Sequence, residues 1–561
     1  MVDRKAIAEY DRRVAATECC RLPVSPARIG LWRSGRAVRP VREEPPFDEA
    51  ADVAVIGAGP AGMLMAAALA HRGHRVLVLE RSPVLRCAST WNLSRPEFEA
   101  LKRVDVLSPA EWESFVRGEF LEGLFTLHDG SAAPPHRREF RFDEMLNISL
   151  DAEEFLGKLA TTPGLNLRLG VEAWVERVTR TGVYLSCTGV NGETVVKARL
   201  VIDASGWLSP LAAAVNRNRE TLAVYNMLGI HVTAALPRPT SPATGKPFGL
   251  ICATYEDEVT VPDGAVQPMF ERFTDYAEGR VDDGDVVYFF TRTPRPAPLS
   301  PLVDLMLSRL PAVLPGFEEG LVDRTYFGHG PAFRPGGPFS PKTVQTSAGD
   351  RLLLLGVAAA QYSGLTVCAF GALARNAARI TDAVDHALRR DALSFRTLKA
   401  IDIDPRERIS QEVESLFTGI TELDPGEGPG TVNRDWIAFC EAADGMDPEL
   451  KCEAFRDKIR LRTMNQLIAA CAGRPRVIEA MVRNNRGRTG LMVWTLASAY
   501  VRLLWMEVRL LFARRDRKYL YAGGGGLLRA PVYAGHLVRF WAGGVTAGRR
   551  RSARIRKGGS Q

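Results

Sequence analysis

Three glycines and one acidic residue have the types and spacing needed to hold two phosphate groups and a ribose. Gly57, Gly59 and Gly62 stand in the register G-x-G-x-x-G. The first permits a tight turn, the second lets backbone approach a pyrophosphate, and the third lets a helix pack closely on a strand. Glu80 follows eighteen residues after Gly62 and is placed to accept hydrogen bonds from a ribose diol. The spacing predicts a dinucleotide-binding loop.

Regular elements must position these residues, and the flanking sequence predicts them. An apolar strand over Val53–Ile56 enters the glycine turn, an alanine-rich helix runs from about Ala61 to Arg72, and a second strand over Arg75–Leu79 delivers Glu80. The helix N-terminus offers N–H groups and positive dipole charge to phosphates. The alternative is a glycine-rich loop in an unrelated α/β domain. The residues predicted to contact the dinucleotide are Gly57, Ala58, Gly59, Pro60, Ala61, Gly62, Glu80 and Arg81.

Two later segments have a similar strand-then-turn pattern. In the first, a buried strand over Leu200–Ile202 ends in Asp203, and Gly206 follows in a D-x-x-G turn. In the second, an apolar strand ends at Gly356 and leads through a turn of small residues to a long helix. Together with the first loop, these segments are suited to hold one extended cofactor.

The three segments, in this order, resemble the glutathione-reductase-like FAD flavoproteins with a single nucleotide fold. The resemblance covers residues 52 to about 384 and implies that FAD is the cofactor. It implies that the middle turn, with Asp203 and Gly206, lies near the pyrophosphate, and that the last segment contacts the ribityl chain and flavin. The residues implied there are Gly356, Val357, Gly364, Leu365 and Thr366. Most members have Gly-Asp where this chain has Gly356-Val357, so a backbone N–H would replace the aspartate.

Within that superfamily the chain looks most similar to the branch of lycopene cyclases and geranylgeranyl reductases. The run from Gly356 to Thr366 resembles the flavin turn of the cyclases, and residues 228–232 resemble one of their strands. The cyclases have a glutamate in F-x-E-E-T, which is implicated in proton-driven ring closure. The corresponding positions here are Phe290, Thr291 and Arg292. The missing glutamate argues against lycopene cyclisation.

Other candidate site residues have a plain structural alternative. Ser94-Arg95-Pro96 follows the second strand and is a candidate to approach the flavin, with Arg95 as the cofactor contact, but it also has the pattern of a helix start. His329 is a candidate to face the flavin as an acid or base, but a structural role is the favoured interpretation of a single histidine in such a loop. The aromatic residues between Val224 and Phe290 suit a sheet core, with the lining of an apolar cavity as the alternative.

Charge is distributed unevenly along the chain. The net charge is +8, yet residues 481–561 contain seventeen Lys and Arg against two acids, so the remaining 480 residues carry about −7. The apolar segment 491–512 followed by a basic tail suits either a helix packed on the body or one lying on a membrane surface. No nucleic-acid-binding pattern accompanies the tail. Nine scattered cysteines and the absence of a signal peptide pattern favour a cytoplasmic protein, with peripheral contact at the inner membrane face through 491–557.

These patterns predict an α/β fold in which a Rossmann-like FAD-binding domain with a parallel sheet is interleaved with a mainly antiparallel substrate domain. Residues Leu167–Val175 and Gly182–Val190 are expected to form a small antiparallel layer within the FAD-binding domain. A helical C-terminal extension completes the chain. The predicted divisions are an N-terminal extension over 1–50, the FAD-binding domain over 51–220, the substrate domain over 221–340, a return to the FAD-binding domain over 341–400, and the basic extension over 401–561.

The favoured function is an FAD-dependent oxidoreductase that transfers hydride to or from an apolar, isoprenoid- or polyketide-like small molecule. One alternative is a flavin monooxygenase using oxygen and NAD(P)H, which would visit the flavin transiently because the chain has no second G-x-G-x-x-G. Others are a redox-neutral cyclase and a non-catalytic FAD-binding scaffold. No metal site is expected, and the sequence indicates neither the catalytic residues nor the oligomeric state.

Overall fold

The fold was obtained as a computed structural model that describes most of the chain. The described residues are 1–19, 44–85, 91–128, 137–215, 221–233, 236–254, 259–261, 264–266, 269–274, 284–293, 295–333, 347–362, 366, 368–401, 403–417, 431–456, 458–484 and 489–512. Gly364, Leu365 and the basic segment 549–557, all singled out from the sequence, lie outside these residues.

Helices and strands alternate in the first 215 residues. They are α1 (Arg4–Cys19), β1 (Glu49–Ile56), α2 (Pro60–His71), β2 (Val76–Glu80), β3 (Trp91–Leu93), α3 (Arg95–Lys102), α4 (Pro109–Ser114), β4 (Val116–Glu119), β5 (Glu122–His128), β6 (Arg137–Asp143), β7 (Ile148–Leu150), α5 (Ala152–Ala160), β8 (Leu165–Leu169), β9 (Glu172–Val178), β10 (Val183–Gly189), β11 (Gly192–Asp203) and α6 (Pro210–Val215).

Strands dominate the middle of the chain, and helices its end. The elements are β12 (Thr221–Val232), β13 (Leu250–Thr254), β14 (Val259–Val261), β15 (Gly264–Val266), β16 (Met269–Thr274), β17 (Asp285–Thr293), α7 (Ser300–Val313), β18 (Val322–Phe333), β19 (Ala348–Gly349), β20 (Leu352–Leu354), α8 (Ala369–Arg389), α9 (Phe395–Lys399), α10 (Pro405–Glu414), α11 (Thr431–Asp444), α12 (Pro448–Phe455), α13 (Leu461–Ala472), α14 (Pro475–Asn484) and α15 (Thr489–Phe512).

An eight-stranded sheet forms the predicted nucleotide-binding layer. Its main path runs β19-β20-β11-β1-β2-β8, and β20, β11, β1, β2 and β8 are mutually parallel. Helix α2 is buried along its whole length between Gly62 and Ala70, which explains why its sequence is almost entirely apolar. The predicted strand–turn–helix–strand unit is confirmed.

One strand in this region differs from the prediction. Residues from Leu167 onward were expected to begin a small antiparallel layer, but Leu165–Leu169 pairs in parallel with β2 at the edge of the main sheet. Only β9 and β10 form the antiparallel extension, attached through β11. Alternation of apolar residues signals a strand but not its partner, so the error lies in the pairing.

A second, seven-stranded sheet has the order β18-β12-β17-β16-β13-β5-β6. Its pairs are antiparallel except β13 with β5, so the predicted antiparallel sheet is confirmed. It also takes β5 and β6 from the segment assigned above to the FAD-binding domain, and the domain division therefore stays a prediction. Trp112 lies in α4, a helix that starts at the capping box formed by Ser108 and Glu111.

Helices cover both faces of the second sheet. Val287 and Phe289 of β17 pack with α7 and with Ile7 of α1, whereas their neighbours Val286 and Tyr288 pack against the C-terminal helices. The period-2 alternation of a strand produces this two-sided burial. The aromatic side chains described on this sheet are accordingly mainly core, and the N-terminal extension contributes a docked helix.

The C-terminal helices α10–α15 share one core with the outer part of the second sheet. Helix α15 packs against α10, α13 and α14. Among the described residues, no helix is both long and apolar enough to cross a membrane.

Candidate functional site

The glycine loop at the carboxyl end of β1 shows why each glycine is required. Gly57 has φ of +97°, and a Cβ there would lie 2.8 Å from the carbonyl oxygen of Ala204. At Gly62 a Cβ would lie 2.0 Å from the carbonyl oxygen of Gly57, so only glycine lets helix and turn meet. At Gly59 no atom lies within 4 Å of the Cβ position. Gly59 thus faces open space at the N-terminus of α2, which has no side-chain cap.

Glu80 lies beside this loop, as its spacing predicts. Its carboxylate accepts the backbone N–H of Ala58 (2.8 Å) and of Ser82 (2.7 Å). These bonds bring the carboxylate from the end of β2 to the glycine turn, next to the open position at Gly59. Arg81, the next residue, is exposed at the same end of the sheet.

Asp203 shapes the second turn from within. Its buried carboxylate accepts the N–H of Ser205 (3.0 Å) and the hydroxyl groups of Ser205 (2.6 Å) and Ser209 (2.5 Å). Burial raises the pKa of this carboxyl, and the three hydrogen bonds oppose the rise. Since the carboxylate is engaged by its own turn, Asp203 holds the loop shape. Gly206 (φ +84°) has open space at its Cβ position.

The third turn is a short 3-10 helix over Gly356–Ala359. The N–H of Gly356 donates to the side-chain oxygen of Gln361 (2.9 Å), and the N–H of Gln361 donates to the carbonyl of Gly356 (3.0 Å). Gln361 is a site residue that the sequence did not indicate. Val357 is half-buried in the turn, and the half-buried Thr366 accepts the N–H of Cys368 (3.4 Å).

The three turns meet at one edge of the parallel sheet, although about 150 residues separate each from the next. The N–H of Ala204 donates to the carbonyl of Ile56 (2.9 Å), and the N–H of Leu355 donates to the carbonyl of Asp203 (2.9 Å). Across the same edge, a Cβ at Gly356 would lie 3.1 Å from the Cβ of Ala61. Ligands of open α/β sheets bind at this carboxyl edge. The described residues of the three turns are thus brought together.

The side chain of Arg95 makes its hydrogen bonds with residues outside the three turns. It starts α3, and its guanidinium donates to Glu119 (3.0 Å from Nε) and to Glu113 (3.3 Å). The preceding Ser94 occupies the N-cap position, but its hydroxyl accepts the N–H of Leu146 (3.0 Å). The helix start expected from the sequence is present, and the role of Arg95 at the cofactor stays a prediction.

Three rings cluster beside the second turn. Tyr10 of α1 stacks on His329 at 5.4 Å between ring centroids, and Trp207, next to Gly206, meets His329 edge-on at 5.5 Å. The Nε2 of His329 lies 2.9 Å from the carbonyl oxygen of Ala297, so it carries the proton. The Nδ1 therefore accepts the Tyr10 hydroxyl at 3.0 Å.

Both ring nitrogens of His329 are thus used inside the protein. Burial lowers the pKa of His329 and raises the pKa of Tyr10 to about 12, so both groups are held neutral. This arrangement favours the structural role for His329 over the acid–base role. Sequence reasoning missed Tyr10, although Ile7, Tyr10 and Val14 have the spacing of one helix face.

The N-terminal part of β12 and the C-terminal parts of β17 and β18 form a second surface. Tyr225, Met227, Phe290 and Arg292 share one face, since Met227 pairs with Phe290 and Tyr225 with Arg292. The Arg292 guanidinium lies 5.4 Å from the centre of the Tyr225 ring. Gly328 pairs with Met227, and a Cβ there would meet only the Met227 methyl, at 3.8 Å. This face is apolar, has one cation, and has room at Gly328.

Strand β17 carries a single acidic residue. In β17 the only acid is Asp285, which ion-pairs with Arg238 and stands seven residues from Arg292, roughly 23 Å along the strand. Phe290, Thr291 and Arg292, which the sequence comparison set against the cyclase glutamate, lie near the opposite end of this strand. The described part of β17 thus has no carboxylate beside the apolar face.

Comparisons with known proteins agree with this site. The lycopene cyclase protein family matches residues 52–240. Over 267 residues the chain is 27% identical to the menaquinone reductase of Mycobacterium tuberculosis (strain ATCC 25618 / H37Rv), a match that covers 46% of this chain and 60% of that protein. The chain therefore spans less than two thirds of the length of this curated relative.

Solved structures show the same fold. The halogenase PltM in complex with phloroglucinol and FAD has a TM-score of 0.50 at 15% identity, covering 81% of this chain and 97% of that one. The same halogenase in complex with ethyl mercury and mercury has a TM-score of 0.51 at 14% identity, with equal coverage. The predicted fold class is confirmed. The family match over residues 52–240 supports the predicted resemblance to the lycopene cyclases, and the predicted FAD cofactor and oxidoreductase class agree with these matches.

Proposed function

We propose that this protein transfers hydride between bound FAD and an apolar small molecule of isoprenoid or polyketide-like character. The observation that carries the proposal is the meeting of three turns at one sheet edge, with open space at Gly59 where a pyrophosphate would lie. When bound, FAD would supply the two-electron chemistry, and the protein would bind, orient and shield the reactants.

Particular groups would hold each part of the cofactor. The backbone from Gly57 to Gly62 and the N-terminus of α2 would receive the pyrophosphate, and the Glu80 carboxylate would accept the ribose hydroxyl groups. Gly206 would border the pyrophosphate from the second turn. The short helix over Gly356–Ala359, braced by Gln361, would present backbone to the ribityl chain and flavin.

The substrate would lie on the face formed by Tyr225, Met227, Phe290 and Arg292. Three of these side chains are apolar or aromatic, and Gly328 leaves space beside them, which suits an apolar ring or chain. Arg292 would bind a carbonyl oxygen of the substrate and stabilise negative charge as it develops there. A quinone has this combination of an apolar body and carbonyl oxygens, in line with the match to a menaquinone reductase.

Hydride transfer is favoured over ring closure because of the residues on β17. Proton-driven cyclisation needs an acid beside the substrate, and the acid of this strand, Asp285, is paired with Arg238 far from the apolar face. A cation at Arg292 would oppose formation of a second positive charge nearby. It favours a substrate that becomes more negative during the reaction.

The reaction can be tested with a short-chain naphthoquinone as substrate. The FAD-loaded protein is mixed anaerobically with NADPH, with and without the quinone. NADPH oxidation is followed, and the mass of the product is determined by mass spectrometry. The proposal predicts quinone-dependent NADPH oxidation and a product heavier by two hydrogens. A product that gains one oxygen atom under air would instead establish a monooxygenase, and an isomer of unchanged mass would establish a redox-neutral enzyme.

An Arg292→Gln variant makes the test specific to this site. It should lower quinone reduction about tenfold or more, because the developing negative charge loses its partner. FAD binding should be unchanged. Equal rates in the variant and the wild type would place the substrate elsewhere.

A further inference from the structure

Helix α15 packs on the protein core through one face. The residues that face the protein core are Met492, Leu496, Ala499 and Leu503, all buried. Arg502 donates to the carboxylate of Glu412 on α10 at 3.1 Å, which fixes the rotation of the helix about its axis. The side that points outward is therefore defined by the fold.

The outer face carries an apolar stripe made of Trp494, Val501 and Trp505. Their exposed fractions are 50%, 61% and 62%. At about 100° per residue, Val501 and Trp505 lie within roughly 20° of Trp494 on either side, and the stripe is about 16 Å long. Tryptophan is highly buried on average in proteins. Two half-exposed tryptophans on one line therefore indicate a surface that something else covers.

The character of the stripe and of the following sequence limits what can cover it. The residues of the stripe and its flanking neighbours Ala497, Ser498 and Val508 are uncharged. The sequence that follows, 513–561, contains twelve Lys and Arg against one acid. Tryptophan on a helix face next to basic sequence is the combination that binds at the headgroup level of anionic membranes.

We propose that the stripe of Trp494, Val501 and Trp505 docks on the surface of an anionic phospholipid bilayer, with α15 lying parallel to it. The two tryptophan rings enter the headgroup region, and the positive charge of the sequence after α15 attracts the protein to the anionic lipid. The proposal does not depend on which reaction the protein catalyses.

The test uses the full chain and vesicles of two compositions, pure phosphatidylcholine and an equal mixture with phosphatidylglycerol. The wild type should float with the mixed vesicles, and salt should weaken this binding because the charge attraction is screened. A Trp494→Ser, Trp505→Ser double variant should bind about tenfold or more weakly, since the apolar contact is lost. Brominated phosphatidylcholine in the mixture should quench tryptophan fluorescence in the wild type and much less in the double variant.

A Leu121→Ser, Val190→Ser variant is the matched control, because both side chains are exposed apolar residues in turns of the two sheets and not in α15. It should bind vesicles as the wild type does. The double tryptophan variant should keep the wild-type thermal transition, since neither side chain belongs to the core. Equal vesicle binding by the wild type and the tryptophan variant would overturn the proposal. So would a wild type that ignores vesicles but forms a dimer that the tryptophan substitutions abolish.

Discussion

Gly59→Ala is predicted to weaken FAD binding while leaving the fold intact. Gly59 has φ −69° and ψ −179°, a conformation open to alanine, and no atom lies within 4 Å of its Cβ position. Replacing glycine by alanine at an N-cap costs below about 1 kcal/mol of stability. A methyl group in the path of the pyrophosphate should cost about 1–3 kcal/mol, the range for overpacking. The Kd for FAD should therefore rise roughly 5- to 150-fold.

Gly62→Ala is the contrasting substitution in the same loop. Its Cβ would lie 2.0 Å from the Gly57 carbonyl oxygen, a backbone atom that cannot move without distorting the turn. This variant should lose several kcal/mol of stability and much of its folded population. Quenching of flavin fluorescence during titration of the apoprotein measures Kd, and urea unfolding measures stability. Wild-type FAD affinity in Gly59→Ala would refute the assignment of this loop.

Three further predictions concern other parts of the chain. Gly328→Leu should raise KM for an apolar substrate about tenfold by filling the space beside Met227. Gly229→Ala should instead destabilise the protein, because its Cβ would lie 2.5 Å from the Tyr288 ring. Steady-state kinetics and thermal unfolding distinguish the two variants. Tyr10→Phe should cost about 1–3 kcal/mol, seen as earlier urea unfolding, because the Nδ1 of His329 loses its buried donor. Burial raises the pKa of Glu507 from 4.5 to about 7. Its ionisation therefore opposes folding, and the stability of the protein should fall as pH rises between these values. Glu507→Gln should remove this fall, which is worth about 1 kcal/mol after allowing for solvent screening.

The parts of the site that depend on local sequence could be predicted. Gly57, Gly59, Gly62 and Glu80 act within one strand–turn–helix–strand unit, where spacing along the chain sets position in space. Their observed geometry agrees with the expected turn, close packing and open position. The same local reasoning identified the turns at Asp203 and Gly356.

Features that depend on long-range pairing could not be predicted. Tyr10 reaches His329 across more than 300 residues, and no local pattern indicates that partner. Residues 165–169 show apolar alternation, but their parallel pairing with β2 is a property of the whole sheet. Gln361 is recognisable only once the turn at Gly356 is closed around it, because the fold of the turn brings its side-chain oxygen to the Gly356 N–H.

The most direct test of a flavin-dependent oxidoreductase is an absorbance spectrum of the purified protein with FAD added, before and after anaerobic NADPH and a naphthoquinone. FAD that stays bound through gel filtration, is bleached by NADPH and recovers when the quinone is added would support the account. Protein that retains no FAD, or bound FAD that neither reagent changes, would contradict it.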